Sequence, residues 1–329
     1  MILLIELKNV SKKYNDKYII KNLNLKINKG EICVFIGPSG CGKSTILKMI
    51  NKMIPMTDGD IIVDGKSIKD ADENELRMNI GYVIQQIGLL PHRTVEQNIA
   101  IVPRLFKWDE EKIDKRTDFL LEVVGLNPEE YRKKYPKYLS GGQMQRVGVA
   151  RALAAEPPIM LMDEPFGAVD PINRKEIQDK FLDIQNEFRK TICFVTHDID
   201  EALKMGDKIA IFRDGDLVQY DKPKNILLYP ENEFVEDFIG SNRINKALQF
   251  IKVKDIYKDH YISEYSGMIE SYVSLDDNLE SILNGMLADN EEYVGIKDGD
   301  DVLGAISFND IRKYTNSLEG EDSHGYTSN

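Results

Sequence analysis

One stretch constrains the fold more than any other. The apolar run Glu31–Ile36 feeds directly into Gly37-Pro38-Ser39-Gly40-Cys41-Gly42-Lys43-Ser44-Thr45, which fits G-x-x-x-x-G-K-[ST] where a strand gives way to a helix. The glycines let the backbone N–H groups of residues 39–44 turn inward around a β-phosphate, and a helix N-terminus near Lys43 adds its partial positive charge. Lys43 is expected to reach the β- and γ-phosphates, and the Ser44 hydroxyl to ligate Mg²⁺. Gly37, Ser39, Gly40, Cys41, Gly42, Lys43, Ser44 and Thr45 are thus candidate nucleotide contacts. Such a loop needs a buried strand and a helix to hold it, so the chain is expected to be α/β around a parallel sheet.

Two more apolar runs end in chemistry. Ile159–Met162 delivers Asp163-Glu164-Pro165, and burying two adjacent carboxylates is unfavourable without partners. Asp163 is expected to hold Mg²⁺, and Glu164 to orient and polarise the attacking water. Thr191–Val195 ends in Thr196-His197-Asp198. A lone histidine at a strand end is usually structural, but this strand is expected beside that of Asp163, which makes His197 a site candidate. Leu139-Ser140-Gly141-Gly142-Gln143 opens a helix and looks like a second phosphate cradle, about a hundred residues after the first.

Between residues 86 and 155 the pattern turns helical, as in Asp109–Val124 with Gly125 and Pro128 behind it. Strands resume at Ile159, which implies a helical subdomain inserted into the sheet. The formal net charge of −12 speaks against a nucleic-acid partner. It is uneven: residues 241–329 hold 17 acidic and 8 basic side chains, so a separate C-terminal module is expected. No apolar run approaches membrane-spanning length and no signal-peptide pattern opens the chain, so a soluble, cytoplasmic protein is expected. Cys33, Cys41 and Cys193 lack metal-ligand spacing.

Gly37–Thr45, Gln85, Leu139–Gln143, Met160–Glu164 and His197, in that order, resemble the ATPase subunit of ATP-binding-cassette (ABC) transporters. The resemblance implies a P-loop NTPase (RecA-like) core with an antiparallel β subdomain and an inserted helical subdomain, using ATP and Mg²⁺. It assigns adenine stacking to Tyr14, which otherwise reads as an ordinary strand tyrosine. Gln85 would reach Mg²⁺ and the attacking water, and His197 the γ-phosphate. Asp170, in Gly-Ala-Val-Asp, would lie on the loop between subunits; Val169 departs from the usual leucine. Ser140, Gly141, Gly142 and Gln143 would face the nucleotide on the phosphate loop of a second subunit, so each ATP would be sandwiched between two copies of the chain.

Without a spanning segment, transport would run through separate integral membrane permease subunits, with a substrate-binding protein acting indirectly and this chain peripheral at the cytoplasmic membrane face. The segment Gln86–Ile99 suits a permease coupling helix, or else ordinary packing. The wording around Ile80–His92, Asp163–Pro171 and Phe234–Ile244 resembles the osmoprotectant branch (glycine betaine, carnitine, choline). The alternatives are an importer for another small solute, such as an amino acid, and a soluble non-transport ABC ATPase. On this reading the ATPase domain spans 1–245. Residues 246–316 resemble a single or degenerate cystathionine-β-synthase (CBS) motif, or form a plain α/β unit, with 317–329 a disordered tail. Ser307 and Asp310 match positions that often contact ribose or phosphate in such motifs. Lys246, Lys252, Lys254 and Lys258 form either an ionic-strength sensor or a solvated surface.

Overall fold

The computed structural model describes residues 3–84, 88–259, 261–262 and 269–321. They form two compact units, Met1–Asp221 and Lys222–Asn329. No helix among the described residues is long and apolar enough to cross a membrane.

The first unit opens with a hairpin. β1 (Leu3–Tyr14) and β2 (Lys17–Asn28) pair antiparallel up to Tyr14 opposite Lys17. The two linking residues, Asn15 and Asp16, both have positive φ, the backbone that matches a tight hairpin to strand twist. β3 (Ile32–Ile36) follows, then β4 (Asp58–Val63) and β5 (Lys66–Ser67), which join β1 and β2 in a four-stranded sheet of order β2-β1-β4-β5. β6 (Ile80–Val83), β7 (Ile159–Asp163), β8 (Thr191–Val195), β9 (Lys208–Arg213) and β10 (Asp216–Asp221) join β3 in a six-stranded sheet, β10-β9-β3-β8-β7-β6. β3, β7 and β8 are buried at every position, as continuous apolar strands covered on both faces must be. Phe35 and Phe212 pack edge to face within this core, their ring centroids 5.6 Å apart.

The parallel pairings β3–β8, β8–β7 and β7–β6 place the C-terminal ends of neighbouring strands side by side, where open α/β sheets bind ligands. The helices between β6 and β7 form the expected insert, among them Glu110–Val123, capped by Asp109, and Gly141–Leu153, capped by Ser140.

The second unit holds β11 (Tyr272–Ser274), β12 (Tyr293–Asp298) and β13 (Asp301–Ser307). β11 is parallel to β12 and β12 antiparallel to β13, with helices Leu279–Asp289 and Phe308–Glu321. The compact units divide after Asp221, short of the Asn245 at which the ATPase domain is expected to end. Helices Pro223–Leu228 and Arg243–Ala247 belong to the second unit, where the buried Arg243 guanidinium donates to the Leu227 carbonyl at 2.9 Å. The last helix runs to Glu321, five residues into the expected tail, because Ile311 and Tyr314 bury one of its faces. Residues 322–329 lie outside the described residues.

Candidate functional site

Gly37 leaves β3 with φ +144°, and a Cβ there would sit 2.1 Å from the Phe212 carbonyl. At Gly42 (φ +102°) a Cβ would sit 2.4 Å from Ile20 Cδ1, so the loop is built around glycine at both ends. Residues 38–40 between them are exposed. Gly42 is the N-cap of helix Lys43–Ile50, whose first N–H groups have no intrahelical acceptor. Lys43 is buried and donates from Nζ to the carbonyls of Gly37 (2.7 Å) and Pro38 (2.9 Å), which holds its ammonium inside the loop.

The two expected metal ligands meet although 119 residues separate them. Ser44, on the first turn of the helix, donates from Oγ to Asp163 Oδ1 at 2.8 Å, at the end of β7. Burial pushes the Asp163 carboxyl above its usual pKa; the Ser44 hydrogen bond opposes this shift, and the Glu164 charge adds to it.

One residue on, Glu164 turns out of the strand with φ +49°, a left-handed conformation of order 1–3 kcal/mol unfavourable for a side chain with a Cβ. Its N–H donates to the Val195 carbonyl at 3.0 Å, and its side chain lies 3.3 Å from His197 Nδ1, which extends from the end of β8. Lys43, Ser44, Asp163, Glu164 and His197 thus lie at or just beyond the ends of three adjacent parallel strands. Thr45 follows in the same helix, and Cys41 is buried beneath the loop, its Sγ 3.5 Å from Lys43 Nζ.

The second cradle stands apart. Ser140 and Gln143 form a capping box: Ser140 N–H donates to Gln143 Oε1 at 2.9 Å, and Gln143 N–H to Ser140 Oγ at 3.3 Å. A Cβ on Gly142 would meet the Ala168 carbonyl at 2.8 Å, whereas one on Gly141 would meet nothing within 4 Å. Among the described residues no hydrogen bond or ion pair joins residues 140–143 to residues 37–45. Asp170 caps helix Pro171–Phe188 and accepts from Asn173 Nδ2 at 2.8 Å, which holds its carboxyl below the usual pKa. Tyr14 stands half-exposed at the hairpin tip, with Lys12 Nζ 4.6 Å from its ring centroid. Gln85 lies outside the described residues.

Sequence reasoning missed three buried polar residues. Gln145 bonds the Glu164 carbonyl and the Ala168 N–H. Asn98, fully buried, accepts from Leu90 N–H and donates to the carbonyls of Leu90, Arg93 and Thr94, fixing the loop in front of its helix. Glu201 is held by Gln178 Nε2 at 2.8 Å beneath His197, with its pKa raised by burial. Nothing in the sequence marks these three as buried, since each reads as an ordinary polar residue early in a helix.

The fold and the paired strand-end ligands define a nucleotide-binding P-loop protein, and the ABC transporter family profile matches residues 20–167. The chain is 50% identical over 258 residues to the osmoprotectant import ATP-binding protein OsmV of Salmonella typhimurium, covering 77% of this chain and 68% of that one. It is 55% identical over 242 residues to the choline transport ATP-binding protein OpuBA of Bacillus subtilis, covering 73% of this chain and only 63% of that protein's length. A solved dimeric ATP-binding cassette in a post-hydrolysis state, bound to ADP and Pi, superposes with a TM-score of 0.62 at 37% identity, over 67% of this chain and 98% of that one. The chain belongs to the ATP-binding subunits of ABC transporters.

Proposed function

We propose that this chain hydrolyses ATP to energise uptake of a quaternary-amine osmoprotectant such as glycine betaine, carnitine or choline through separate membrane permease subunits. It would sit peripherally at the cytoplasmic membrane face. The observation that carries the hydrolytic reading is the convergence of Ser44 with Asp163, and of Glu164 with His197, at neighbouring strand ends. The cargo reading is supported by the osmoprotectant and choline transport functions named for the two relatives.

Ser44 Oγ and Asp163 Oδ1 are hard oxygen donors 2.8 Å apart, and the buried carboxylate gains from a positive partner; the pair fits Mg²⁺. Bound there, Mg²⁺ would neutralise charge on the β- and γ-oxygens. Lys43, released from the Gly37 and Pro38 carbonyls, would pair with the phosphates. Glu164 would take a proton from water while His197, within reach of the same carboxylate, meets the γ-phosphate. Because no hydrogen bond or ion pair among the described residues joins the Ser140–Gln143 helix start to the chain's own phosphate loop, and a Cβ on Gly141 meets nothing within 4 Å, those donors suit the nucleotide of a second copy. The order β11, helix, β12, β13, helix supports a single CBS-like motif in the second unit.

Glu164→Gln is expected to bind ATP, to hydrolyse it at least about 100-fold more slowly, and to accumulate as a dimer on size-exclusion chromatography with ATP. Near-normal turnover would remove Glu164 from its role. Uptake assays with the cognate permease on glycine betaine, choline, carnitine and proline test the cargo; uptake of proline alone would contradict it.

A further inference from the structure

Gln145 occupies a place that a helix-surface glutamine does not. It lies two residues past Gln143, about 200° round the helix, so that Gln143 faces the open helix start while Gln145 turns inward and is 6% exposed. Its amide is used at both ends. Nε2 donates to the Glu164 carbonyl at 2.5 Å, and Oε1 accepts from the Ala168 N–H at 2.8 Å. One side chain therefore bridges the residue in the left-handed turn after β7 and the loop that leads to Asp170. The Glu164 backbone also donates from its N–H to the Val195 carbonyl and accepts, at a longer 3.3 Å, from the Gly167 N–H. Of these groups only Gln145 belongs to the helix that opens with Ser140-Gly141-Gly142-Gln143.

We propose that Gln145 is a positioning residue that ties the pose of the Glu164 carboxylate to helix Gly141–Leu153, hereafter the signature helix, so that each chain's water-activating group is set by the helix whose start meets the partner's nucleotide. This rests on the two-copy site proposed above. Seating the second nucleotide against residues 140–143 shifts that helix start, and the amide passes the shift to the Glu164 peptide and the Asp170 loop. A side chain that both donates and accepts is required: an ionised glutamate keeps the acceptor for Ala168 and loses the donor to Glu164, and methionine of similar length keeps neither.

The test uses heterodimers with one Glu164→Gln subunit, so that a single hydrolytic centre survives. Gln145→Met in the subunit with intact Glu164 is expected to lower kcat about tenfold or more, with KM for ATP within about twofold. The same change in the Glu164→Gln subunit, whose signature helix covers the surviving centre, is expected to lower kcat less than about threefold. Gln145→Glu should show the same dependence on placement with ATP still bound; because either placement puts the same change in one subunit of the dimer, the difference between placements separates lost positioning from lost folding. Equal loss at either placement, greater loss in the Glu164→Gln subunit, or unchanged kcat in both variants would overturn the role. Failure of Lys43→Ala and Gly141→Asp subunits, each inactive alone, to recover hydrolysis on mixing would overturn the two-copy site and this proposal together; recovery there, with loss independent of Gln145 placement, overturns Gln145 alone.

Discussion

Asp163 and Glu164 are adjacent in the chain and differ in surroundings. Asp163 is 4% exposed, with its charge disfavoured by burial, whereas Glu164 turns toward His197 and keeps some access to water. A raised carboxyl pKa means that the ionised form at neutral pH works against folding, and that this opposition fades as pH falls through the folded-state pKa toward the ordinary value of 3.8. Asp163→Asn keeps an acceptor for Ser44 and removes the charge. It is expected to raise the melting temperature of the nucleotide-free protein by roughly 2–4 °C at pH 7 and by less near pH 4, while lowering Mg²⁺-ATP hydrolysis about 100-fold. Calorimetry across that pH range and a phosphate-release assay check the two signs; a loss of stability would contradict the electrostatic account. Lys43, Ser44, Asp163, Glu164 and His197 were legible in the sequence because each sits at a strand end or at fixed spacing from one. Gln145 was not, because a glutamine in the first turns of a helix looks like any solvated residue until the packed loop appears opposite it.

Individual elements show what else such sequence signatures can encode. Ser307 and Asp310, candidates for a ribose or phosphate contact, are both buried and bond each other: Ser307 Oγ donates to Asp310 Oδ2 at 2.6 Å, and Asp310 N–H donates back at 3.2 Å. They cap the last helix, a use that shares its sequence signature with anion binding because both draw on a short polar side chain at a helix start. Ser307→Ala is expected to destabilise the second unit by about 1–2 kcal/mol and to leave ATP hydrolysis within about twofold. Denaturant unfolding and the ATPase assay check this; unchanged stability would return Ser307 to the list of ligand contacts. The basic cluster is similarly engaged, since Lys252 and Lys254 share Asp276, at 3.1 and 2.8 Å, and hold its carboxyl down at about 2. The compact division lies ahead of residue 245 because Arg243 grips carbonyls 15 and 16 residues back, a packing decision that no local composition shift announces. The strands were easier to read, since uninterrupted apolar runs such as Ile32–Ile36 and Thr191–Val195 leave little choice but a doubly covered parallel sheet.

At the scale of the whole molecule, the proposed arrangement has two copies meeting head to tail, so that the Ser140–Gln143 helix start of each closes the nucleotide site of the other. Gly141 offers the cleanest probe, because a Cβ there meets nothing within 4 Å in its own subunit and an aspartate at a helix start does not disturb the helix. Its carboxylate would instead oppose the partner's γ-phosphate. Lys43→Ala disables the other cradle. Each variant alone is expected to be inactive, whereas a mixed dimer has one site with both lesions and one with neither. The decisive measurement is the ATPase rate of the two inactive proteins after mixing: recovery of hydrolysis on mixing is the predicted result, and a mixture as inactive as its parents would contradict the shared site.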